Sequence, residues 1–256
     1  MYDKIDPEII VPLATPDGIK AIILGVKSIR PKEVTRLRRS LSRMNVPLLM
    51  MPVKEAQVVK NVYCFYRLGL LQETELYQHC QEHGADFIMV RRALGLDPAI
   101  GQTREQENGE LILNWLLKTA SLFFAFRIER DFNKKSVGNV SLGVWGNAET
   151  PFVYEAVTSL HFLGADIHLF SMHDEDKDDM KFPCILYQDK WRALQGVDAL
   201  IILEKQQAFV SIPVKEWYIR RSLMKQNIVI DVCNLYEPEE MEQIGYQYIS
   251  FGRFYV

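Results

Sequence analysis

Past Lys134 and Lys135 the apolar positions fall into short blocks that switch regularly between two spacings. Continuous or alternating apolar runs predict strands at Val137–Val144, Asp166–Phe170, Ala199–Leu203, Ile228–Ile230 and Tyr246–Ser250. Between them, Phe152–Leu163, Asp189–Gln195, Pro213–Lys225 and Pro238–Ile244 carry helical spacing. Strand and helix in strict succession predict a parallel sheet with helices on both faces.

Before that point the pattern is different. Lys20–Val26 has strand character, Pro31–Met44 carries a basic helix whose proline lies near its first turn, and Val46–Met51 is a second apolar run. From Lys54 to His83 apolar residues recur at helical spacings, without proline and with Gly69 as the only weak point before Gly84. A helix of roughly 30 residues would be about 45 Å long. Its apolar positions spread over more than one stripe, which predicts cover on more than one side. Asp86–Leu94 and Gly109–Phe126 supply two more helices. The expected organisation is a short α/β segment over 1–52, a helical central domain over 53–133 and a Rossmann-like domain over 134–256.

Composition narrows the classes. With 48% hydrophobic and 25% charged residues, the 256-residue chain has an ordinary globular balance. A net charge of −3 offers no electrostatic reason for nucleic acid or an anionic membrane. The longest apolar run, Leu111–Phe126, is interrupted by Asn114, Lys118, Thr119 and Ser121 and is too short and polar to span a bilayer. No leader-like segment opens the chain. Cys64, Cys80, Cys184 and Cys233 form no C-x-x-C pair, which predicts reduced thiols and a cytoplasmic location. The acidic run Asp174–Asp179 lacks the glycine and terminal glutamate of a calcium loop and reads as a solvated loop. His79 and His83 are spaced like metal ligands on a helix, but without further ligands they read as solvent-facing, and no metal is expected. His168 and His173 flank a strand end without a nucleophile motif.

The segment Ile228–Arg253, IVIDVCNLYEPEEMEQIGYQYISFGR, resembles the closing strand, helix and strand of the UDP-glucose/GDP-mannose 6-dehydrogenases, V-(I/L)-D-G-R-N-(L/I)-x-x-P-E-E-(M/L)-x-x-x-G-F-x-Y-x-x-I-G-R. Further matches extend the resemblance. Asp6-Pro7-Glu8 and Thr15-Pro16-Asp17-Gly18 are similar to N-P-E-F-L and N-P-D-R-I-V-I-G, and Glu55–Lys60 to the S-A-E-x-x-K that starts the family's long central helix. His83–Asp86 and Leu94–Gly101 are similar to V-G-A-D and G-L-D-P-R-I-G. The resemblance implies a helical dimerisation core, a Rossmann-like UDP-binding domain, and oxidation of a sugar alcohol through a cysteine thiohemiacetal and thioester.

The departures carry as much information as the matches. No G-x-G-x-x-G occurs and the family's NAD-binding domain has no counterpart here, so no cofactor is expected. Gly143-Val144-Trp145-Gly146 reads as a plain strand-to-helix turn. Where the family carries G-G-x-C-F-P-K-D, this chain runs Gln102–Glu110 without cysteine or lysine. The arginines of D-P-R-I-G and D-G-R-N are Ala99 and Cys233, and F-K-P-x-T-D-D-x-R-E-S-P is reduced to Gly146–Pro151. Lys60 matches the family's active-site lysine, although the asparagine four residues on is Cys64.

The expected function is therefore a non-catalytic relative acting in binding, assembly or regulation, with no catalytic residues and with Lys60, Asn234 and Arg253 as vestigial ligand contacts. Its expected partners are a second copy, through the Lys54–His83 helix, and a full-length dehydrogenase or polysaccharide enzyme. The alternatives are a subunit of a split UDP-sugar dehydrogenase and a UDP-sugar sensor. The lost thiol loop separates these, because a split enzyme has no reason to discard the thiol from the part it keeps.

Overall fold

The computed structural model describes residues 8–27, 45–102, 109–131, 140–172 and 183–253. The chain divides into two compact units, one of residues 1–108 and 252–256 and one of residues 109–251. The helix expected over Pro31–Met44, the acidic run Asp174–Asp179 and His173 lie outside the described residues.

In the first unit, strand β1 (Ile9–Thr15) runs antiparallel to β2 (Gly18–Gly25), which pairs in parallel with β3 (Leu48–Met51). β1 carries Pro12, which a strand tolerates at a sheet edge, and among the described residues β1 pairs with β2 alone. That proline hides the strand from a sequence reading. Helix α1 (Val53–Arg67) follows directly and buries Glu55, Ala56, Val58, Val59, Val62 and Tyr63. A side chain on Gly25 would meet the Ala56 Cβ at 2.9 Å, so glycine lets β2 approach α1 closely.

The single helix predicted over Lys54–His83 is instead two, α1 and α2 (Glu73–Glu82). Gly69 takes φ +69°, and the amides of Gly69 and Leu70 donate to the carbonyls of Tyr66 and Phe65, a paired arrangement that closes a helix through a left-handed glycine. Gln72 then opens α2 in a capping box, its amide donating to Glu75 Oε2 at 2.8 Å. Gly84, at φ +60°, closes α2 in the same way, with the amides of Gly84 and Ala85 donating to Gln81 and Cys80. Asp86 caps α3 (Phe87–Leu94), accepting from the Met89 amide at 2.9 Å.

The second unit opens with α4 (Gly109–Asp131), whose Leu113, Leu116 and Ala120 pack on a parallel sheet. Then follow β4 (Val140–Trp145), α5 (Pro151–Phe162), β5 (Ala165–Phe170), β6 (Ile185–Tyr187), a 3-10 turn at Arg192–Leu194, and β7 (Ala199–Ile202). The remaining elements are α6 (Gln207–Val210), α7 (Val214–Arg220), β8 (Ile228–Asp231), α8 (Pro238–Gln243) and β9 (Gln247–Ser250). The sheet order is β6-β5-β4-β7-β8-β9 with every pairing parallel. Counted within the unit this is 3-2-1-4-5-6, the doubly wound Rossmann order.

Both sheet faces are covered, which is why its strands read as unbroken apolar runs. One face packs Leu142, Val144, Ile167, Leu169, Ile201 and Ile230 against α4 and α5. The other packs Trp145, Leu200, Ile202 and Val229 under an aromatic layer of Trp191, Phe209, Trp217, Tyr236 and Tyr246. Among the described residues, no helix is long and apolar enough to cross a membrane.

Candidate functional site

A doubly wound sheet offers a crevice at the carboxyl ends of its strands, where the order reverses between its first and fourth strands. Here that point lies between β4 and β7. Trp145 hands over to the turn Gly146–Thr150, and Pro151 starts α5. Every amide of that turn is engaged by the chain itself. Gly146 donates to Phe170 O at 3.2 Å and Thr150 to Asn147 O at 3.0 Å. Asn147 donates to Glu204 Oε2 at 2.7 Å, Ala148 to Ser171 Oγ at 3.2 Å, and Glu149 to Asn147 Oδ1 at 2.9 Å. Gln206 Nε2 donates to the same Glu204 oxygen at 2.9 Å.

A carboxylate thus sits where a helix-entry turn would otherwise bind a phosphate. The glycines here answer to packing. A side chain on Gly143 would meet Leu194 Cδ2 at 2.7 Å, and one on Gly146 would meet Val153 Cγ2 at 2.9 Å. Beside the turn, Ala148, Glu149, Tyr154, Glu155 and Thr158 line a depression of about 580 Å³ whose two carboxylates oppose an anionic ligand.

The end of β8 is built around Asp231, which is fully buried. It accepts from Tyr248 Oη at 2.7 Å, from the Cys233 amide at 2.7 Å and from the Leu235 amide at 2.8 Å. Burial raises its pKa above the usual carboxylate range, against the opposing pull of the Tyr248 hydroxyl and the backbone amides of the turn. Asn234 adopts φ +54°, donates from Nδ2 to Phe251 O at 3.0 Å, and leaves a buried Oδ1 without a partner. The spacing Asp-x-x-Asn shapes a turn, with Cys233 contributing its amide to it.

In the first unit, Lys60 is exposed on α1, away from the buried stripe. Arg253 places Nε 3.7 Å from Asp86 Oδ2, while Gly252 O accepts from the Phe87 amide at 2.9 Å, so the end of the chain is tied to the start of α3. Lys60 and Arg253 belong to the first unit and Asn234 to the second. The Gly95–Gly101 segment is a clamp: Asp97 accepts from Tyr63 Oη at 2.8 Å, Arg67 Nε at 3.0 Å and the Ala99 amide at 3.0 Å. Burial pushes the Asp97 pKa up, but these donors prevail and hold it below the ordinary range.

Burial pushes the Cys80 thiol up to about 12 and the Cys184 thiol up to about 11, leaving both protonated at neutral pH. The histidine pair is less solvent-facing than its spacing predicts. His79 is half-buried, its Nε2 is shielded from water without a hydrogen-bond partner, and Glu82 joins His79 and His83 with ligand atoms within 4.8 Å of one another. Glu204 and Gln206 are the site residues that sequence reasoning misses, because the partner of Glu204 lies in the turn after another strand and Gln206 acts only through Glu204.

No family model matches the sequence, and no curated protein matches it. The similarity is carried by structure. NDP-N-acetyl-D-galactosaminuronic acid dehydrogenase from Methanosarcina mazei Go1 superposes with a TM-score of 0.50 at 14% identity, over 91% of this chain and 58% of that one. UDP-D-ManNAc dehydrogenase from Pyrococcus horikoshii gives 0.44 at 16% identity, over 95% of this chain and 62% of that one. UDP-glucose dehydrogenase from Pyrobaculum islandicum gives 0.44 at 16% identity, over 93% and 59%. The chain spans about three fifths of the length of these dehydrogenases and shares a fold with nucleotide-sugar dehydrogenases at low sequence identity.

Proposed function

We propose that this chain is a non-catalytic relative of the nucleotide-sugar dehydrogenases, acting by binding as an assembly or regulatory component of a system linked to surface-polysaccharide synthesis. The observation that carries this reading is the engagement of the Gly146–Thr150 turn by the chain's own side chains, with Glu204 Oε2 2.7 Å from the Asn147 amide. A nucleotide phosphate at this turn would have to displace a carboxylate that already has the best-placed donor, and would do so beside Glu149 and Glu155.

The substitutions agree with it. Ala99 and Cys233 supply no guanidinium, and Gln102–Glu110 contains no thiol. The partners that fit are a second copy of the chain and a full-length dehydrogenase or polysaccharide enzyme. Phe65, Leu68 and Leu70, respectively 56%, 66% and 68% exposed at the end of α1, offer an apolar surface for the first of these.

The experiment is a titration of NAD and UDP by calorimetry beside a coupled NADH assay over several UDP- and GDP-sugars. No saturable binding and no turnover is the expected result. Turnover that survives extensive purification but disappears in Lys60→Ala would overturn the proposal. A saturable rise in melting temperature with UDP and no turnover would instead select the sensor reading.

A further inference from the structure

We infer that the last turn of α2 is a binding site for a divalent transition-metal ion of the zinc class, with His79, Glu82 and His83 as its three protein ligands. The helix places positions i, i+3 and i+4 on one face, and here those positions hold two imidazoles and a carboxylate. Two independent features prepare the nitrogens. His83 Nδ1 lies 2.8 Å from the His79 carbonyl oxygen. A carbonyl only accepts, so Nδ1 carries the proton and the Nε2 lone pair is left for a ligand, the arrangement in which metal-bound histidines are commonly held. His79 contributes the second feature, since its Nε2 is out of water with no hydrogen-bond partner. A buried polar atom without a partner is unfavourable, and coordination removes that cost.

The geometry needs only a small adjustment. The ligand atoms lie within 4.8 Å of one another. Bond lengths of about 2.0–2.2 Å to zinc imply roughly 3.3–3.5 Å between ligands of a tetrahedral ion. Glu82 is exposed and can turn inward by that difference, whereas half-buried His79 and His83, held by its Nδ1 contact with the His79 carbonyl, are the fixed points. The two imidazole rings already lie with centroids 4.3 Å apart. Cys80, next to His79 in sequence, is fully buried and its sulfur is not among the atoms that converge. In sequence the three read His-x-x-Glu-His, and because Glu82 reaches the same point as the nitrogens it serves as a ligand. Three protein ligands leave one position for water or for a donor from another molecule.

Tag-free protein titrated with Zn2+ alone in a calorimeter tests the assignment, with Co2+ absorption as a second readout of coordination. A saturable one-to-one isotherm is expected, with a visible Co2+ spectrum of low-symmetry coordination. His83→Ala and Glu82→Gln, both exposed and remote from the core, should each weaken Zn2+ binding by about tenfold or more. His83→Gln, which retains a donor for the His79 carbonyl, should lose the metal as fully as His83→Ala, separating ligation from helix capping. Absence of saturable binding in the wild type, or affinity unchanged in His83→Ala and His83→Gln, would overturn the assignment.

Discussion

Two buried aspartates respond to pH with opposite sign. Asp97 is depressed, so its contribution to stability is present above the unfolded carboxylate pKa of about 3.9 and is lost as pH falls through the lower folded value. Asp231 is raised, so its contribution is fully present below about pH 3.9 and is lost as pH rises through its higher folded value. Asp97→Asn should cost about 1–3 kcal/mol at neutral pH by weakening its bonds with Arg67 and Tyr63, and should make the acid limb of stability shallower. Asp231→Asn should remove the opposing trend, so that the stability difference from wild type shrinks as pH rises. Urea midpoints between pH 3 and pH 7 read both effects, and parallel pH profiles for the two variants would contradict the assignment. The role of Asp97 was not legible in the sequence, whereas the motif around Asp231 and Tyr248 already read as one that shapes the end of the sheet; its hydroxyl and amide partners, 2 to 17 residues away, make Asp231 a turn anchor.

At the scale of elements, what the sequence revealed depended on whether the signal was local. The strands β4, β5, β7, β8 and β9 followed from apolar runs, because a sheet covered on both faces needs little beyond hydrophobicity. β6, three residues long and largely exposed, carries no such signal. The break between α1 and α2 was written in Gly69 and in the Gln72/Glu75 box, yet the helical spacing of Phe65, Leu70 and Leu71 masked it. Gly69 provides a test by sign. In a continuous exposed helix, Gly69→Ala would stabilise by about 1 kcal/mol. At φ +69° with open space around a new Cβ, it should instead destabilise by about 1–2 kcal/mol through backbone strain alone. Chemical unfolding followed by circular dichroism decides between the two.

At the scale of the whole molecule, the fold class was legible, but the continuous helix on which a homodimer was expected is not formed. A 30-residue helix would have offered a long dimer core centred on Tyr66 and Leu70. Instead α1 ends at Arg67, and Tyr66 turns inward, donating to Glu73 and lying under the Arg91 guanidinium at 5.3 Å. Replacing Tyr66 would therefore break a network within one subunit and would not report on dimerisation. Phe65, Leu68 and Leu70 are more than half exposed, so charging them should cost a monomer little. In the proposed homodimer the same change would bury unpaired charge at the interface, which is strongly unfavourable. Phe65→Asp combined with Leu68→Asp should thus leave melting temperature nearly unchanged at low concentration while shifting light scattering from about twice to about once the chain mass of 29.7 kDa. A wild-type protein that scatters as one chain at all concentrations would remove the homodimer.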